Sequence, residues 1–467
     1  MAEPGFLSIA EASRGFASGT LSPVMVIERL LERIDRLDGE LHALLSVDAQ
    51  GALAQARLAE SEFASGRRRG PLHGVAIVVK DIIDIAGHPT TCHSAIPARV
   101  PPVRDASVIQ RLREAGAIFL GKTSLHEFAT GGPAFDLPWP PARNPWNVAL
   151  HPGGSSSGSA CAVAAGLASA ALGTDTGGSV RHPATCCGVV GLKPTYDLVD
   201  RTGVFPLAFS LDHVGFLTHT VEDSAMLLDA VAGPSGGAVL RSAAPTNRYS
   251  AELAEDGSRG IGGLRVGVIA HFYTEDEQAD PPVQGGIDAA LEVLGRLGAR
   301  VQPVRLSPLA AWTACGRVIQ QAEQYTVHER WLRERPQDYC ALSRRKLVAG
   351  AFLSASEYVR ALQTRRILCD EFDTMMQQFD VLVTASGMTL PCAIDDPDAI
   401  ARTYERHARM PFNLTGTPAL SLPIGFTPDG LPLGMQVAAR AHDERMLFRV
   451  AAAYENATRW RDRRPAL

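Results

Sequence analysis

The sequence has no CxxC pair, no long apolar run and no excess of basic residues. Its eight cysteines among 467 residues do not form a disulfide framework, and their spacing argues against a zinc knuckle or a dithiol redox motif. No stretch reaches the ~18 consecutive apolar residues that a membrane-spanning helix needs. The opening residues, MAEPGFLSIAEASRG, lack the basic region and apolar core of a secretory signal. We therefore expect a cytoplasmic protein with buried, reduced thiols and no membrane association.

The charge balance also excludes one class of partner. Lysine and arginine total 45 against 50 aspartates and glutamates, a formal charge of −5. This balance argues against a basic surface for nucleic acid, so we expect no nucleic-acid partner. The hydrophobic fraction of 46% is ordinary for a globular protein, and the length suffices for a large core.

Short apolar runs alternate with helical segments, which predicts an α/β fold with a mostly central sheet. Predicted strands lie near residues 75–79, 117–120, 168–172, 264–269, 301, 381–384, 419–422 and 435–438. Predicted helices follow Ser22 and cover residues 107–114, 159–165 and 283–297. Residues 1–66 are predicted to be an N-terminal helical segment packed on a core of residues 67–230. Residues 231–263, rich in small residues and proline, are predicted to be a linker or insertion before a C-terminal part, 264–467, that completes the same domain.

Two short motifs match enzyme signatures but lack the required context. GAIFLGKT at 116–123 fits the P-loop pattern, yet its four middle residues are themselves a predicted strand and cannot also form a phosphate-binding nest. GSSSG at 154–158 fits the nucleophile elbow of α/β-hydrolases. That elbow follows a buried strand, whereas here two prolines, Pro145 and Pro152, precede it.

A third combination of residues is more informative. Lys80 directly follows a predicted buried strand, Ser155 lies in a GGSSSG turn, and Ser179 lies in TDTGGSVR. Gly-Ser turns are commonly flexible loops. A flexible linker, however, does not hold an alanine-rich packed segment between its ends, so these two turns belong to a folded unit.

With these segments the chain resembles the amidase signature family of serine hydrolases over about residues 5–455. The separations match those of the family, with 75 residues from Lys80 to Ser155 and 24 from Ser155 to Ser179. The matching text is GVAIVVKD at 74–81, GGSSSGSA at 153–160, GTDTGGSVRHPA at 173–184, GVVGLKPTY at 188–196, SLDHVGFLTHTVEDSAMLL at 210–228, FNLTGTPALSLPIGF at 412–426 and LPLGMQV at 431–437. The resemblance implies one large α/β domain with a mixed sheet flanked by helices.

The resemblance also implies a catalytic triad. Ser179 would be the nucleophile, Ser155 the proton relay, preceded by a cis peptide bond, and Lys80 the base. The backbone N–H groups expected to form the oxyanion hole are those of Thr176, Gly177, Gly178 and Ser179. Ser156 would orient Lys80, and Asp175 and Arg181 would brace the loop as an ion pair.

The chemistry explains why such residues are needed. A serine hydroxyl is a poor nucleophile until a base removes its proton. Lysine is a base only as the neutral amine, so its pKa must fall from ~10.4 by desolvation or nearby positive charge. The apolar neighbours Val78, Val79 and Ile82 could supply that desolvation.

The substrate pocket is expected to involve Thr130, Gly131, Leu137, Trp139 and Cys315. Leu137, Trp139 and Trp312 make an apolar pocket plausible, and contact of His182 or Cys315 with substrate stays open. Ser157 replaces a glycine common in the family, a tolerable change in a loop. No metal and no cofactor is expected. The predicted partner is a small amide, anilide or carbamate substrate, and the chain is expected to be a monomer or homodimer.

Two functions remain open. One is a free-standing amidase that hydrolyses small amides, anilides or carbamates. The other resembles the A subunit of glutamyl-tRNA amidotransferase, which uses glutamine and works with partner subunits. That relative usually places an acidic residue ahead of the segment at Asn413. Here Glu405 is the one acidic residue there, beside Arg406 and Arg409, so the sequence favours the first function.

Overall fold

The computed structural model describes residues 3–96, 101–233, 248–257 and 259–467. No helix in these ranges is long and apolar enough to cross a membrane. The strands are β1 (Leu44–Val47), β2 (Ala76–Lys80), β3 (Ile118–Thr123), β4 (Ala170–Asp175), β5 (Val190–Lys193), β6 (His213–Thr218), β7 (Arg265–Val268), β8 (Arg300–Pro303), β9 (Val381–Ala385), β10 (Ala419–Phe426) and β11 (Pro432–Ala438).

The α-helices of the described residues lie on both sides of these strands. They are α1 (Ile9–Ser18), α2 (Pro23–Leu41), α3 (Ala49–Ala64), α4 (Ser107–Glu114), α5 (Ser157–Ala164), α6 (Arg181–Cys187), α7 (Val221–Val231), α8 (Tyr249–Gly257), α9 (Pro281–Arg296), α10 (Leu309–Glu334), α11 (Ala341–Val348), α12 (Ala355–Met376), α13 (Pro397–Glu405), α14 (Pro411–Leu414) and α15 (Glu444–Thr458).

Within the described ranges the strands form one mixed sheet of eleven, in the order β1-β3-β2-β4-β6-β5-β10-β11-β9-β7-β8. The pairs β2–β3, β2–β4, β7–β8 and β7–β9 are parallel, and the remaining pairs are antiparallel. Strands from the first and last parts of the chain share this sheet. The fold is therefore a single α/β domain with a central mixed sheet, as the sequence predicts.

The pairing of β2 with β4 positions the candidate lysine. The two strands are parallel, with Val79 opposite Leu172, so both carboxyl ends lie at the same edge of the sheet. Ile77 and Val79 face one hydrophobic core, and Ala76 and Val78 face the other. Side chains alternate between the two faces of a strand, so Lys80 lies on the same face as Ala76 and Val78. Helix α5 covers this face.

Most predicted elements are present, but the expectation that residues 1–66 are helical is incomplete. Leu44–Val47 forms β1, an antiparallel edge strand on β3. This four-residue strand is only partly buried, and Ser46 interrupts its apolar residues. The helix predicted after Ser22 is α2, and the Ser22 hydroxyl accepts a hydrogen bond from the Met25 N–H at 3.1 Å.

The two short motif matches are explained by the fold. Residues 118–123 of the P-loop-like segment are strand β3, and the Lys122 ammonium is buried in an ion pair with Asp81 at 2.9 Å. It also donates to the Ile83 carbonyl at 2.7 Å. Residues 151–153, directly before the GSSSG segment, are not in a strand. Neither segment therefore has the context that its motif requires.

The predicted linker at 231–263 contains helix α8. Residues 234–247 and 258 lie outside the described residues. Within the described part, α8 packs on the body of the domain, where the Asp256 carboxylate pairs with Arg445 at 2.8 Å. The Tyr249 N–H donates to Asp229 at 2.6 Å. This helix is thus an integral part of the domain surface.

Candidate active site

Lys80 ends β2 with its side chain fully buried. Its Nζ donates to Ser155 Oγ at 2.8 Å, to Ser156 Oγ at 3.0 Å and to Thr174 Oγ1 at 2.8 Å. An ammonium group has three N–H donors, and each has an acceptor here. The sequence singled out the two serines but missed Thr174, which the parallel pairing of β2 and β4 brings beside Lys80.

The environment of Lys80 favours the neutral amine. Burial lowers the pKa of Lys80 to about 7, although Asp175 and Asp212 oppose this shift. Desolvation disfavours the charged form, because a buried ammonium loses its water shell. This shift towards the neutral amine is in the direction that the sequence argument requires.

The two serines precede α5 and connect the lysine to the Ser179 loop. The peptide bond between Gly154 and Ser155 is cis, as the family resemblance implies. The Ser156 hydroxyl donates to the Thr174 carbonyl at 3.2 Å, and its N–H donates to the Ser179 carbonyl at 3.1 Å. Ser155 and Ser179 thus belong to loops that are hydrogen-bonded to each other.

The carboxylate of Asp175 holds the Ser179 loop together. It accepts N–H bonds from Gly178 at 2.8 Å and Val180 at 3.2 Å. It also pairs with Arg181 at 2.9 Å, and both side chains are fully buried. Burial would raise the pKa of Asp175, but Arg181 more than offsets this effect and holds that pKa well below its usual range. The carboxylate is thus a permanent anchor for the N–H groups around Ser179.

Arg181 connects this anchor to the C-terminal half of the chain. Its guanidinium donates to Asn413 Oδ1 at 2.6 Å, to Gln436 Oε1 at 2.9 Å and to the Arg409 carbonyl at 3.0 Å. Asn413 also donates to Asp175 Oδ1 at 2.9 Å. Sequence reasoning missed Asn413 and Gln436 as loop supports, although both lie in segments that match the family.

Gly178 lies where a larger residue would not fit. Its φ of +116° is in the region that favours glycine. An added Cβ would lie 2.3 Å from Arg409 Nε, so the Arg409 side chain packs directly on this loop. The neighbouring Thr176 hydroxyl donates to Asp212 at 2.6 Å. The N–H groups predicted for the oxyanion hole therefore belong to a loop fixed from several sides.

A cavity of about 360 Å³ opens at this loop. Ser155, Ser179, Thr176, Gly177 and Gly178 line it, together with the predicted pocket residues Thr130 and Gly131. The remaining lining residues are His126, Ala129, Gly154, His182, Leu207, Thr313, Arg317, Gln320, Gln321, Gln324, Arg345, Lys346, Ala401, Tyr404, Glu405, His407, Arg409 and Met410. The sequence left the position of His182 open, and the structure places it in the cavity wall. Burial lowers its pKa well below the usual value, so its ring is neutral.

Three predicted pocket residues do not line this cavity. The Cys315 thiol is buried against the Ala361 carbonyl at 3.2 Å, Leu137 lines a separate small cleft, and the Trp139 carbonyl accepts from the His93 ring at 3.1 Å. Trp312, predicted alongside them, is fully buried in the core. These residues therefore lie outside the cavity at Ser179, and a substrate role for them stays a prediction.

The periodicity of α10 explains why Trp312 and Cys315 lie away from the cavity. Trp312 and Cys315 lie on the helix face that packs into the core, whereas Thr313, Arg317 and Gln320, at spacings of four and three, face the cavity. Gln324 continues the same face one turn later. The sequence reasoning selected the apolar stripe of this helix, and the polar stripe forms the wall of the cavity.

One group of potential metal ligands lies beside the cavity. Donor atoms of His151, His182 and Cys186 lie within 4.8 Å of one another. However, Nδ1 of His151 accepts the Gly153 N–H at 2.9 Å, and Nδ1 of His182 accepts the Gly154 N–H at 3.4 Å. The neutral rings therefore carry their protons on Nε2, and burial raises the pKa of the Cys186 thiol. This protonation leaves few free lone pairs for a metal ion.

Comparison with protein families gives one match across most of the chain. The family model described as Amidase matches residues 25–448. Curated relatives include the A subunit of glutamyl-tRNA(Gln) amidotransferase from Gloeobacter violaceus, 37% identical over 98% of both chains. The corresponding protein of Chloroflexus aggregans is 36% identical, covering 100% of this chain and 99% of that protein.

Solved structures agree with this family match. The peptide amidase from Stenotrophomonas maltophilia has a TM-score of 0.85 and 31% identity, covering 98% of both chains. A chain from a study of a vestigial complex and the origins of an s-triazine catabolic enzyme has a TM-score of 0.89 and 31% identity, covering 97% of this chain and 99% of that chain. The 6-aminohexanoate cyclic dimer hydrolase has a TM-score of 0.88 and 27% identity, covering 99% of both chains.

Proposed function

This chain belongs to the amidase signature family, and we propose that it cleaves C–N bonds of amides through an acyl-enzyme on Ser179. The observation that carries the proposal is the fully buried Lys80 amine, 2.8 Å from Ser155 Oγ. Ser155 in turn lines the same cavity as Ser179. These contacts support the roles of Lys80 as base, Ser155 as relay and Ser179 as nucleophile.

In the first half-reaction, Ser179 Oγ attacks the amide carbonyl carbon. Its proton passes to Ser155 Oγ while the Ser155 proton passes to the neutral amine of Lys80. The carbonyl oxygen becomes an oxyanion, which the N–H groups of the Thr176–Ser179 loop stabilise. The resulting Lys80 ammonium finds acceptors in Ser156 and Thr174.

The tetrahedral intermediate then collapses and the C–N bond breaks. The leaving nitrogen receives a proton from Ser155, which is re-protonated by the Lys80 ammonium. In the second half-reaction, water attacks the acyl carbon and passes a proton through Ser155 to Lys80. The tetrahedral intermediate then breaks its bond to Ser179 Oγ, which regains that proton from Lys80 through Ser155, and a carboxylic acid is released. Small amides, anilides and carbamates are the substrates proposed for a free-standing enzyme.

A second candidate function is that of the glutamine-dependent component of an amidotransferase that works with partner subunits. The names of the curated relatives support it more strongly than they support a free-standing amidase. The sequence argument against glutamine as a substrate is also weaker in the structure. Glu405 lines the cavity. The Arg406 guanidinium forms ion pairs with Glu277 and Asp280, each at 3.5 Å, and does not line the cavity.

The proposed chemistry is tested with a fluorophosphonate label and an amide panel. We expect wild-type protein to be labelled on Ser179 and to hydrolyse at least one of an aliphatic amide, an anilide, a carbamate and glutamine. Ser179→Ala should lose both labelling and turnover, whereas Ser157→Ala, a nearby serine outside the Lys80 contacts, should retain them. Full activity in Ser179→Ala would remove the nucleophile from the proposal.

The same panel separates the two candidate functions. Turnover of a simple amide or anilide by the purified chain alone supports the free-standing amidase. Glutamine hydrolysis that appears only after partner subunits are added supports the amidotransferase component.

A further inference from the structure

Arg409 is a buried cation that lines the cavity, and one of its N–H donors has no partner among the described residues. Its side chain is 2% exposed, and one terminal N–H group donates to the Ser386 carbonyl at 2.7 Å. Its Nε is buried and has no hydrogen-bond partner among the described residues. Buried polar groups are normally hydrogen-bonded, so this orphaned N–H shows that the protein leaves the guanidinium incompletely compensated.

The buried carboxylate of Asp175 does not form an ion pair with Arg409 among the described contacts. Asp175 is already paired with Arg181 and accepts two loop N–H bonds. Burial, with Arg181 nearby, lowers the pKa of Arg409 to about 10, so the guanidinium is still charged at neutral pH. A buried charge is costly unless an anion pairs with it.

Arg409 lies close to the proposed reacting atoms. It packs on Gly178 closely enough that an added Cβ there would lie 2.3 Å from its Nε. Gly178 is next to Ser179, and all three residues line the cavity. An anion bound by Arg409 would therefore lie a short distance from the scissile bond.

The rest of the cavity wall is positively charged as well. Arg317, Arg345 and Lys346 line it, against the single carboxylate of Glu405 among the described lining residues. Arg317 and Arg345 are exposed at its mouth. Clefts lined by one sign of charge concentrate ligands of the opposite sign.

We propose that the substrate of this site is an amide that also carries a carboxylate, and that Arg409 binds that carboxylate beside Ser179. A guanidinium suits this task because its planar N–H donors match the two oxygens of a carboxylate. The inference rests on the proposed function, since it names the substrate class of the same site. It applies to glutamine and to other acidic amides, and it disfavours neutral anilides and alkyl amides.

Direct binding tests the inference without requiring turnover. Calorimetry compares glutarate with its neutral diamide, glutaramide, on the wild-type chain at low salt. We expect glutarate to bind at least tenfold more tightly, and this preference to disappear in Arg409→Gln. Arg344→Gln removes an exposed arginine of the same helix as Arg345 that does not line this cavity, and it should keep the preference. Equal or tighter binding of the diamide to wild-type protein would overturn the inference, whether or not Arg409→Gln folds.

Turnover gives a second, separable test. The ratio of kcat/KM for succinamate to that for butyramide should exceed ten in wild-type protein and fall towards one in Arg409→Gln. A ratio near or below one in an active wild-type enzyme would overturn the carboxylate inference and leave the proposed amide hydrolysis intact. Absence of Ser179 labelling would instead count against the proposed function, while the calorimetric preference still decides the role of Arg409.

Discussion

The hydroxyl oxygen of Thr174 lies 2.8 Å from Nζ of Lys80, the same distance as the oxygen of Ser155. Thr174 precedes Asp175 at the end of β4, and Lys80 ends the parallel strand β2. The lysine therefore has a third acceptor that is supplied by the sheet itself. As an ammonium it can donate to all three oxygens, and as an amine it can use its lone pair to take a proton from Ser155.

Thr174→Val should weaken catalysis by changing the basicity of Lys80. Loss of one acceptor destabilises the ammonium more than the amine, so the pKa of Lys80 should fall further. We expect kcat/KM to drop about tenfold, in line with the loss of one hydrogen bond to a charged group. The acidic limb of the pH profile should also move to lower pH. Thr174→Ser keeps the hydroxyl oxygen and should retain both kcat/KM and the position of the acidic limb. An unchanged pH profile in Thr174→Val would contradict the assigned contact.

The pH dependence of the wild-type enzyme should report Lys80 directly. Burial lowers the pKa of Lys80 to about 7, and only the neutral amine accepts the Ser155 proton. The value of kcat/KM should therefore fall about tenfold per pH unit below about 7 and level off above it. Burial lowers the pKa of His126, His182 and His407 well below the usual value, so these rings should not add an inflection near neutrality. The range from pH 5 to pH 8 spans about two units below to one unit above that pKa. A constant kcat/KM over this range would contradict the assignment of Lys80 as the base.

Asp175→Asn should destabilise the fold strongly. The substitution leaves the fully buried Arg181 guanidinium without its counter-charge, and breaking a buried ion pair in this way costs about 3–5 kcal/mol in free energy of unfolding. Urea denaturation monitored by circular dichroism measures this change. Glu32→Gln removes the exposed pair of Arg29 and Glu32 at 2.8 Å and should leave the midpoint unaltered. A comparable loss of unfolding free energy in both variants would mean that burial of the Asp175–Arg181 pair is unimportant for stability.

Gly178→Ala should damage catalysis more than stability. The new Cβ would meet Arg409 Nε at 2.3 Å at a φ of +116°, so the loop that carries the Ser179 N–H must shift. Misplacing an oxyanion-hole donor lowers kcat by about 100-fold or more, which steady-state kinetics can measure. Gly39→Ala, a helical position with open space around its Cβ, should keep kcat and gain slightly in thermal stability.

Elements with a strong hydrophobic pattern are the ones that the sequence predicts well. The predicted bounds of helix α4 are the observed ones, and the buried strands β2, β4 and β9 lie within a few residues of their predicted positions. These elements carry continuous apolar runs or a regular helical spacing. Strands β1, β5 and β6 and the polar face of α10 were missed. β5 and β6 are buried, but each is short and contains glycine (VGLK and HVGFLT). The α10 residues that face the cavity leave no hydrophobic pattern.

The sequence by itself determined the α/β class and the family and singled out Lys80, Ser155 and Ser179 as candidates, because these depend on local periodicity and on motifs that are contiguous in the chain. Tertiary structure alone decided that Thr174 completes the lysine site and that Asn413 supports Asp175 from 238 residues away. It also decided that Arg409, rather than Cys315 or Trp139, lines the cavity. Each of these contacts depends on strand register and on which helix face turns inward, and residues far apart in the chain acquire that geometry only when the sheet has formed.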